Sequence, residues 1–302
     1  MESLDIERNK TVKKLLIDSQ NHLRILQFTD LHLCHRDTEN ITFTLISDLV
    51  KETTPNLVVL TGDLAMSKDS PSMYEALSIH MNSLHIPWTF VFGNHDTEHG
   101  VSHQQLVNAL EMSEYCLFEQ GESFVDGCGN HLIEVHNDAQ PVAQVILLDS
   151  HVDDFYLINE ERKWGYGTIL PSQVKWVESI IKDESGQFKQ VPSIVFFHIP
   201  SPEFDAGKHT HFIDGVKRES NCYPPKEHGL FSLLAKSKTC KGIFVGHDHY
   251  NDYSMIKEGM LLAYGRVSGQ YDYGMSPFPK GARVIDLFGQ EVKSHIILWN
   301  PR

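Results

Sequence analysis

The sequence lacks long apolar runs. Nowhere in its 302 residues do 18 consecutive apolar side chains occur, so no segment reads as a membrane-spanning helix. The opening MESLDIERNKTVKKLL mixes acids and bases and has no apolar stretch of signal-peptide length. Paired cysteines are missing too. The five present (Cys34, Cys116, Cys128, Cys222 and Cys240) are odd in number, scattered and never spaced C-x-x-C. That excludes a thiolate zinc site of paired spacing and argues against a disulfide framework. The expectation is a reduced, cytoplasmic protein with packed or incidental thiols, of which only Cys34 lies near the candidate chemistry. Positive charge is scarce: 26 Lys and Arg stand against 40 Asp and Glu, a net charge of −14. Such a surface repels phosphate backbones and anionic lipid, which counts against nucleic-acid and membrane partners. A local basic pocket or bound cations would reverse that sign only locally. Low-complexity segments, Gly/Ser linkers and internal repeats are also absent. The sequence as a whole, 41% hydrophobic and 22% charged, has the composition of a globular protein.

What the sequence has in abundance is histidine, 18 in all, and their placement follows the strand pattern. LRILQF (23–28), LVVL (57–60) and WTFVF (88–92) read as buried strands. Each is followed by a segment of helical period: TFTLISDLVKE, MYEALSIHMNSL and SHQQLVNALEM. This alternation predicts βαβ units and a largely parallel sheet. From about residue 123 the rhythm changes. HLIEVH and VAQVILL, separated by a short polar turn, read as an antiparallel pair. SQVKWVESIIK is a helix with Val174, Val177, Ile180 and Ile181 on one face. The strand SIVFF (193–197), the helix HGLFSLLAK and the strand GIFV (242–245) follow, then strand-like runs around 254–264, 282–288 and 295–299. Residues 200–228, rich in Pro, His and charge, read as a long functional loop.

Five of the apolar strands end in Asp, His or Asn. LRILQF runs into Asp30-Leu31-His32, LVVL into Gly62-Asp63 and WTFVF into Gly93-Asn94-His95-Asp96. SIVFF runs into His198, and GIFV into Gly246-His247-Asp248-His249. Side chains at the carboxyl ends of neighbouring parallel strands converge where α/β proteins bind ligands. Two carboxylates, an amide and four or five imidazoles without sulfur form a donor set suited to Mn, Fe or Zn. Singly, D-x-H or G-D is an ordinary turn or a solvated loop. Five such endings in one chain point to a metal site.

These blocks resemble the calcineurin-like metallophosphoesterases, from about residue 23 to the C-terminus. GHDHYND (246–252), WGYG (164–167), GLF (229–231) and Tyr264-Gly265-Arg266 look like the branch related to purple acid phosphatases. The chain departs from true purple acid phosphatases at the first motif, where it offers His32 and no nearby tyrosine. The resemblance therefore implies a non-purple, redox-neutral or divalent pair. It also implies a four-layer α/β/β/α sandwich with two mixed sheets, residues 23–302 forming the domain and 1–22 an N-terminal extension. By the same resemblance, Asp30, His32 and His249 hold one metal ion, Asn94, His198 and His247 the other, and Asp63 bridges them. A hydroxide generated on the pair then attacks phosphorus in line, and His95 contacts the phosphate and protonates the leaving oxygen. Asp96 orients an imidazole or holds its loop.

The function implied is hydrolysis of a phosphomonoester, carried by a small molecule or a phosphoprotein. A phosphodiesterase acting on cyclic nucleotides or glycerophosphodiesters is the alternative within the same chemistry. A metal-binding interaction scaffold without catalysis is the alternative outside it. Trp164, Tyr166, Tyr253 and Tyr271 are the aromatics near the motifs. Packing is their ordinary reading, and a rim around the leaving group the other.

Overall fold

A strand that is apolar on both faces needs a layer on each side of it, and most strands of this chain are of that kind. The computed structural model describes residues 12–37, 40–110, 113–137, 140–205, 212–271 and 278–301. In chain order the elements begin β1 (Lys13–Leu16), β2 (His22–Phe28), α1 (Ile41–Thr53), β3 (Leu57–Thr61), α2 (Ser70–Ser83), β4 (Trp88–Val91) and α3 (His103–Asn108). Next come β5 (His131–His136), β6 (Pro141–Leu147), β7 (Asp153–Ile158), β8 (Glu161–Tyr166), α4 (Pro171–Ile181) and β9 (Ser193–Phe196). The chain finishes with α5 (Leu230–Ser237), β10 (Cys240–Val245), β11 (Ser254–Lys257), β12 (Met260–Tyr264), β13 (Gly281–Phe288) and β14 (Glu291–Leu298).

The strands form a five-stranded sheet, β14-β13-β2-β3-β4, and a seven-stranded sheet, β1-β5-β6-β9-β10-β12-β11. Alternation of side chains along each strand builds the layers. β2 sends Leu23 and Ile25 inward and Leu26 and Phe28 outward; β9 sends Ile194 and Phe196 inward and Val195 outward. The inward set from both sheets forms one central core. The outward sets pack under α1, α2 and α3 on one side and under α4 and α5 on the other. The result is the expected α/β/β/α order of layers, with two mixed sheets.

β2, β3 and β4 are parallel, as the βα rhythm predicts, and β13 and β14 extend their sheet antiparallel. β5 and β6 pair antiparallel. The run at 254–264 is two strands, turning at Glu258-Gly259 where both φ are positive (49° and 79°). Within the segment set apart as an N-terminal extension, Lys13–Leu16 add β1 parallel to β5 at the sheet edge; residues 1–11 lie outside the described residues. In the 200–228 loop, 206–211 lie outside them, and the rest folds back through bridges Asp214↔Ser254 and Lys217↔Asn251. No described helix is long and apolar enough to cross a membrane.

Two buried polar side chains tie the sheets across the core. Gln27 on β2 donates to Thr61 Oγ1 (2.9 Å) and to the carbonyl of Val245 on β10 (3.0 Å), close to the strand ends. His131 on β5 donates from Nδ1 to the Gly129 carbonyl (2.7 Å), and its Nε2 accepts from Thr89 on β4 (2.7 Å). Burial pushes this imidazole down to about 4, below the roughly 6.5 of an unfolded histidine. Its contribution to stability is therefore complete above pH 6.5 and is lost as the pH falls toward 4. Thermal midpoints measured across that interval should fall, the loss reaching on the order of 3 kcal/mol. His131→Asn should begin less stable at pH 7.5 and fall less steeply; an unchanged slope would assign the titration to other groups.

Candidate metal centre

The five expected strand ends meet at one edge of the sandwich, three from the smaller sheet (β2, β3, β4) and two from the larger (β9, β10). Backbone hydrogen bonds stitch the loops together. Asp30 N donates to Gly62 O (3.1 Å), His32 N to Asp63 O (2.9 Å) and Gly246 N to His198 O (3.1 Å). The turns are sharp: Asp30, His32, Asp63 and His247 have φ of 54°, 43°, 52° and 80°. Left-handed backbone at four non-glycine positions is locally unfavourable, and such strain concentrates at functional sites. Two glycines permit the approach. Gly62 (φ 85°) passes so close to His198 that a Cβ would lie 2.5 Å from its Nδ1, and a Cβ on Gly93 would fall on the Asp63 carboxylate.

The donor atoms gather in two clusters that share Asp63: Asp30, His32, Asp63 and His249 in one, Asp63, His198 and His247 in the other, all buried. In the first, His32 Nε2 lies 3.1 Å from His249 Nε2, and His249 Nε2 lies 3.3 Å from Asp30 Oδ1. Asp63 Oδ2 is common ground, 3.7 Å from His32 Nε2 and 3.3 Å from His198 Nε2. Asn94 adds its amide oxygen to the second cluster, 3.1 Å from His198 Nε2. His198 donates from Nδ1 to the Thr61 carbonyl (2.7 Å), which fixes the ring and turns Nε2 inward.

The charges compensate one another. Burial opposes ionisation of Asp30, yet the facing His249 imidazole brings it down to about 2. Burial likewise opposes the Asp63 charge, and His198 holds that carboxyl well below its usual range. Burial lowers His198, but the Asp63 carboxylate outweighs it and lifts the imidazole to about 10. Burial and the neighbouring His198 press His247 down to about 3, the neutral form that ligates metals. Two cations fit this donor set. Asp30 Oδ1 is buried without a hydrogen bond. Imidazole nitrogens aimed at one another and at carboxylate oxygens resemble a ligand shell more than a hydrogen-bond network.

The other expected residues fall around this centre. His95 is about a third exposed, its ring 5.6 Å from that of His32. Its backbone N–H donates to Asp63 Oδ1 (2.9 Å), and its Nδ1 donates to Glu98 Oε1 (2.7 Å). The sequence marks Glu98 only by its spacing of three residues from His95. Asp96 is buried and accepts the N–H groups of Gly93 (2.8 Å), Leu64 (2.8 Å) and Ala65 (3.1 Å), so it holds the loops after β3 and β4. Burial and Asp63 raise its carboxyl to about 7.

One expectation about cysteine is corrected. Cys222, not Cys34, approaches the centre, its thiol clustered with His247 and Asp248, whereas Cys34 joins no ligand cluster among the described residues. The folded-back loop brings Cys222 there, its N–H donating to Asp248 at 3.2 Å, a contact without any sequence signal. Burial, with Asp248, pushes that thiol up to about 11. Of the four aromatics, Tyr166 packs edge-on to His247 (4.5 Å between centroids) and Tyr253 is buried. Tyr271 donates its hydroxyl to the Arg36 carbonyl at 2.6 Å.

Likeness to known proteins agrees with this geometry. Among curated relatives, "Probable inactive purple acid phosphatase 29" of Arabidopsis thaliana is 26% identical over 90% of this chain and 78% of its own length. "Phosphatase DCR2" of Saccharomyces cerevisiae is 28% identical over 84% of this chain and 49% of its own. In fold, the chain is similar to a dimetal phosphatase from Danio rerio (TM-score 0.60, 13% identity, 92% and 99% of the two chains). It is also similar to a purple acid phosphatase from yellow lupin seeds (TM-score 0.53, 12% identity, 92% and 53%). The Calcineurin-like phosphoesterase profile matches residues 23–251, and with ligand clusters at its strand ends the chain belongs to that family.

Proposed function

We propose that this chain hydrolyses phosphomonoesters at a two-metal centre formed by Asp30, His32, Asp63, Asn94, His198, His247 and His249. The observation that carries the reading is the sharing of one buried carboxylate, Asp63, by two ligand clusters. Asp30, His32 and His249 would hold one ion, Asn94, His198 and His247 the other, each with Asp63. A bound pair of Mn, Fe or Zn ions would supply Lewis acidity toward phosphoryl oxygens and acidify water. Asn94 contributes a neutral oxygen and so leaves positive charge for the phosphate. His95, open to solvent beside the centre, carries the proton to the leaving oxygen from Nε2. Its Nδ1 is engaged by Glu98, which fixes the ring's orientation. Asp96 keeps the Asp63 and Asn94 loops in register.

The word "inactive" in relatives' names belongs to those proteins. In this chain the seven side chains proposed as ligands lie close together with His95 beside them, which supports catalysis over a scaffold. The test is metal content of the purified protein together with turnover of phosphomonoesters and phosphodiesters in added Mn. Monoesters should be cleaved in preference. Faster cleavage of diesters would move the assignment to a phosphodiesterase, and bound metal without turnover to a scaffold.

A further inference from the structure

Between β6 and α4 the chain leaves both large sheets and forms the ribbon β7–β8, which pairs with neither. Its turn residues Asn159 and Glu160 both have positive φ (50° and 67°), matching the twist of the flanking strands. The register sets Asp153 opposite Tyr166, Phe155 opposite Trp164 and Leu157 opposite Arg162. Opposed residues, and every second residue along a strand, share a face. One face therefore carries Asp153 and Tyr166, then Phe155 and Trp164, then Leu157 and Arg162. The row begins at the metal centre, where Tyr166 meets His247 at 4.5 Å and Trp164 meets Tyr166 at 5.0 Å between centroids. It then runs outward through Trp164 (53% exposed), Phe155 (53%) and Leu157 (78%). Three large apolar side chains exposed side by side offer a ligand a surface to dock on.

The ribbon is held in place. On its other face Tyr156 is buried and donates its hydroxyl to the Tyr166 carbonyl at 2.6 Å. Gly165 packs against Pro225 so closely that a Cβ would lie 2.7 Å from Cδ. The Trp164 indole N–H donates to Asp153 (2.6 Å), which leaves the π-face as what the ring offers. The Arg162 guanidinium lies over the Phe155 ring, 4.1 Å from its centroid. Successive pairs are roughly 7 Å apart along the strands. The row is thus longer than a sugar or a base, and its spacing is that of alternate side chains in an extended peptide. On this face the acid Asp153 stands against the base Arg162, and the chain carries a net charge of −14, which disfavours a polyanion and suits a neutral or basic peptide.

We infer that this face binds the polypeptide flanking a phosphorylated side chain, extended along the ribbon with apolar residues at alternate positions. As a substrate-docking role this rests on the phosphomonoesterase reading and names its substrate class as phosphoprotein. The test uses two phosphoserine peptides that differ only at alternate flanking positions, Leu and Phe in one and Ser in the other, with their non-hydrolysable phosphonate counterparts. Binding of the labelled phosphonates to the Mn-loaded full chain is read by fluorescence anisotropy, and cleavage of the phosphopeptides by phosphate release. The apolar phosphonate should bind roughly tenfold more tightly, with the same ratio in kcat/KM carried by KM. Leu157→Ser should shrink the ratio and Trp164→Ala with Leu157→Ser should bring it to one. Leu16→Ser, at a leucine 74% exposed on the distant β1, should preserve it. Equal binding of the two peptides by the unaltered chain, or a ratio that survives the double substitution, overturns the inference. A binding preference without cleavage of any phosphoester supports the docking face and removes the hydrolase reading instead.

Discussion

Asp63→Asn is expected to cost the protein both metal ions and nearly all turnover. Its carboxylate is the one group common to both clusters, and it is buried with His32 and His198 on either side of Oδ2, at 3.7 and 3.3 Å. An amide keeps the shape and loses the charge that offsets two cations. Metal assistance is worth several kcal/mol at the transition state, so turnover should drop by roughly a thousandfold or more. His249→Ala and His198→Ala should each deplete mainly one ion. Elemental analysis of the three variants separates these outcomes, and normal occupancy of both ions in Asp63→Asn would refute the bridge. The same linkage predicts the effect of a chelator. A ligand at a hundred times its dissociation constant stabilises the native state by about 2.7 kcal/mol. Stripping metal from the unaltered protein should therefore abolish turnover and lower the thermal midpoint, while Asp63→Asn should barely respond. Mn, Fe or Zn should restore activity better than Mg or Ca, because imidazole donors favour the former. Full activity in excess chelator, with no metal found, would sink the two-metal reading.

His95→Ala should separate proton transfer from metal binding. A positioned acid contributes about 10²–10⁴-fold, and the benefit is greatest when the leaving oxygen is a poor one such as an alkoxide. The loss should be of that order on alkyl phosphates and clearly smaller on an activated aryl phosphate, with metal content unchanged. Glu98→Gln should show a weaker version of the same leaving-group dependence, because its carboxylate orients the imidazole through the 2.7 Å contact with Nδ1. His247→Ala should lose metal and act on both substrates alike. Equal losses on alkyl and aryl phosphates in His95→Ala would make the residue a phosphate-positioning group, and loss of metal would make it a ligand.

The candidate ligands were legible because each stands within a few residues of a strand that its own composition reveals. Leu57–Thr61 is apolar up to its last residue and runs into Gly62-Asp63; Cys240–Val245 runs into Gly246-His247-Asp248-His249. A buried strand and the turn after it are local, so a window of ten residues contains both. The same window shows that Leu23 and Leu26 belong to one strand, but not that they face different cores.

Only the tertiary structure decided which strands share a sheet and hence which ends face one another. It placed the ends of β2, β3 and β4 against those of β9 and β10 from the other sheet, through contacts such as Gln27 to Val245. It brought Cys222 to His247 by folding a loop without a periodic pattern back over the centre. It also made a ribbon of DDFYLINEERKW, whose charged residues hide the period of two because neither large sheet buries it. Burial of apolar side chains is written into short stretches of sequence. The meeting of residues such as His32 and His249, 217 positions apart, depends on how whole sheets pack, and no short stretch encodes that.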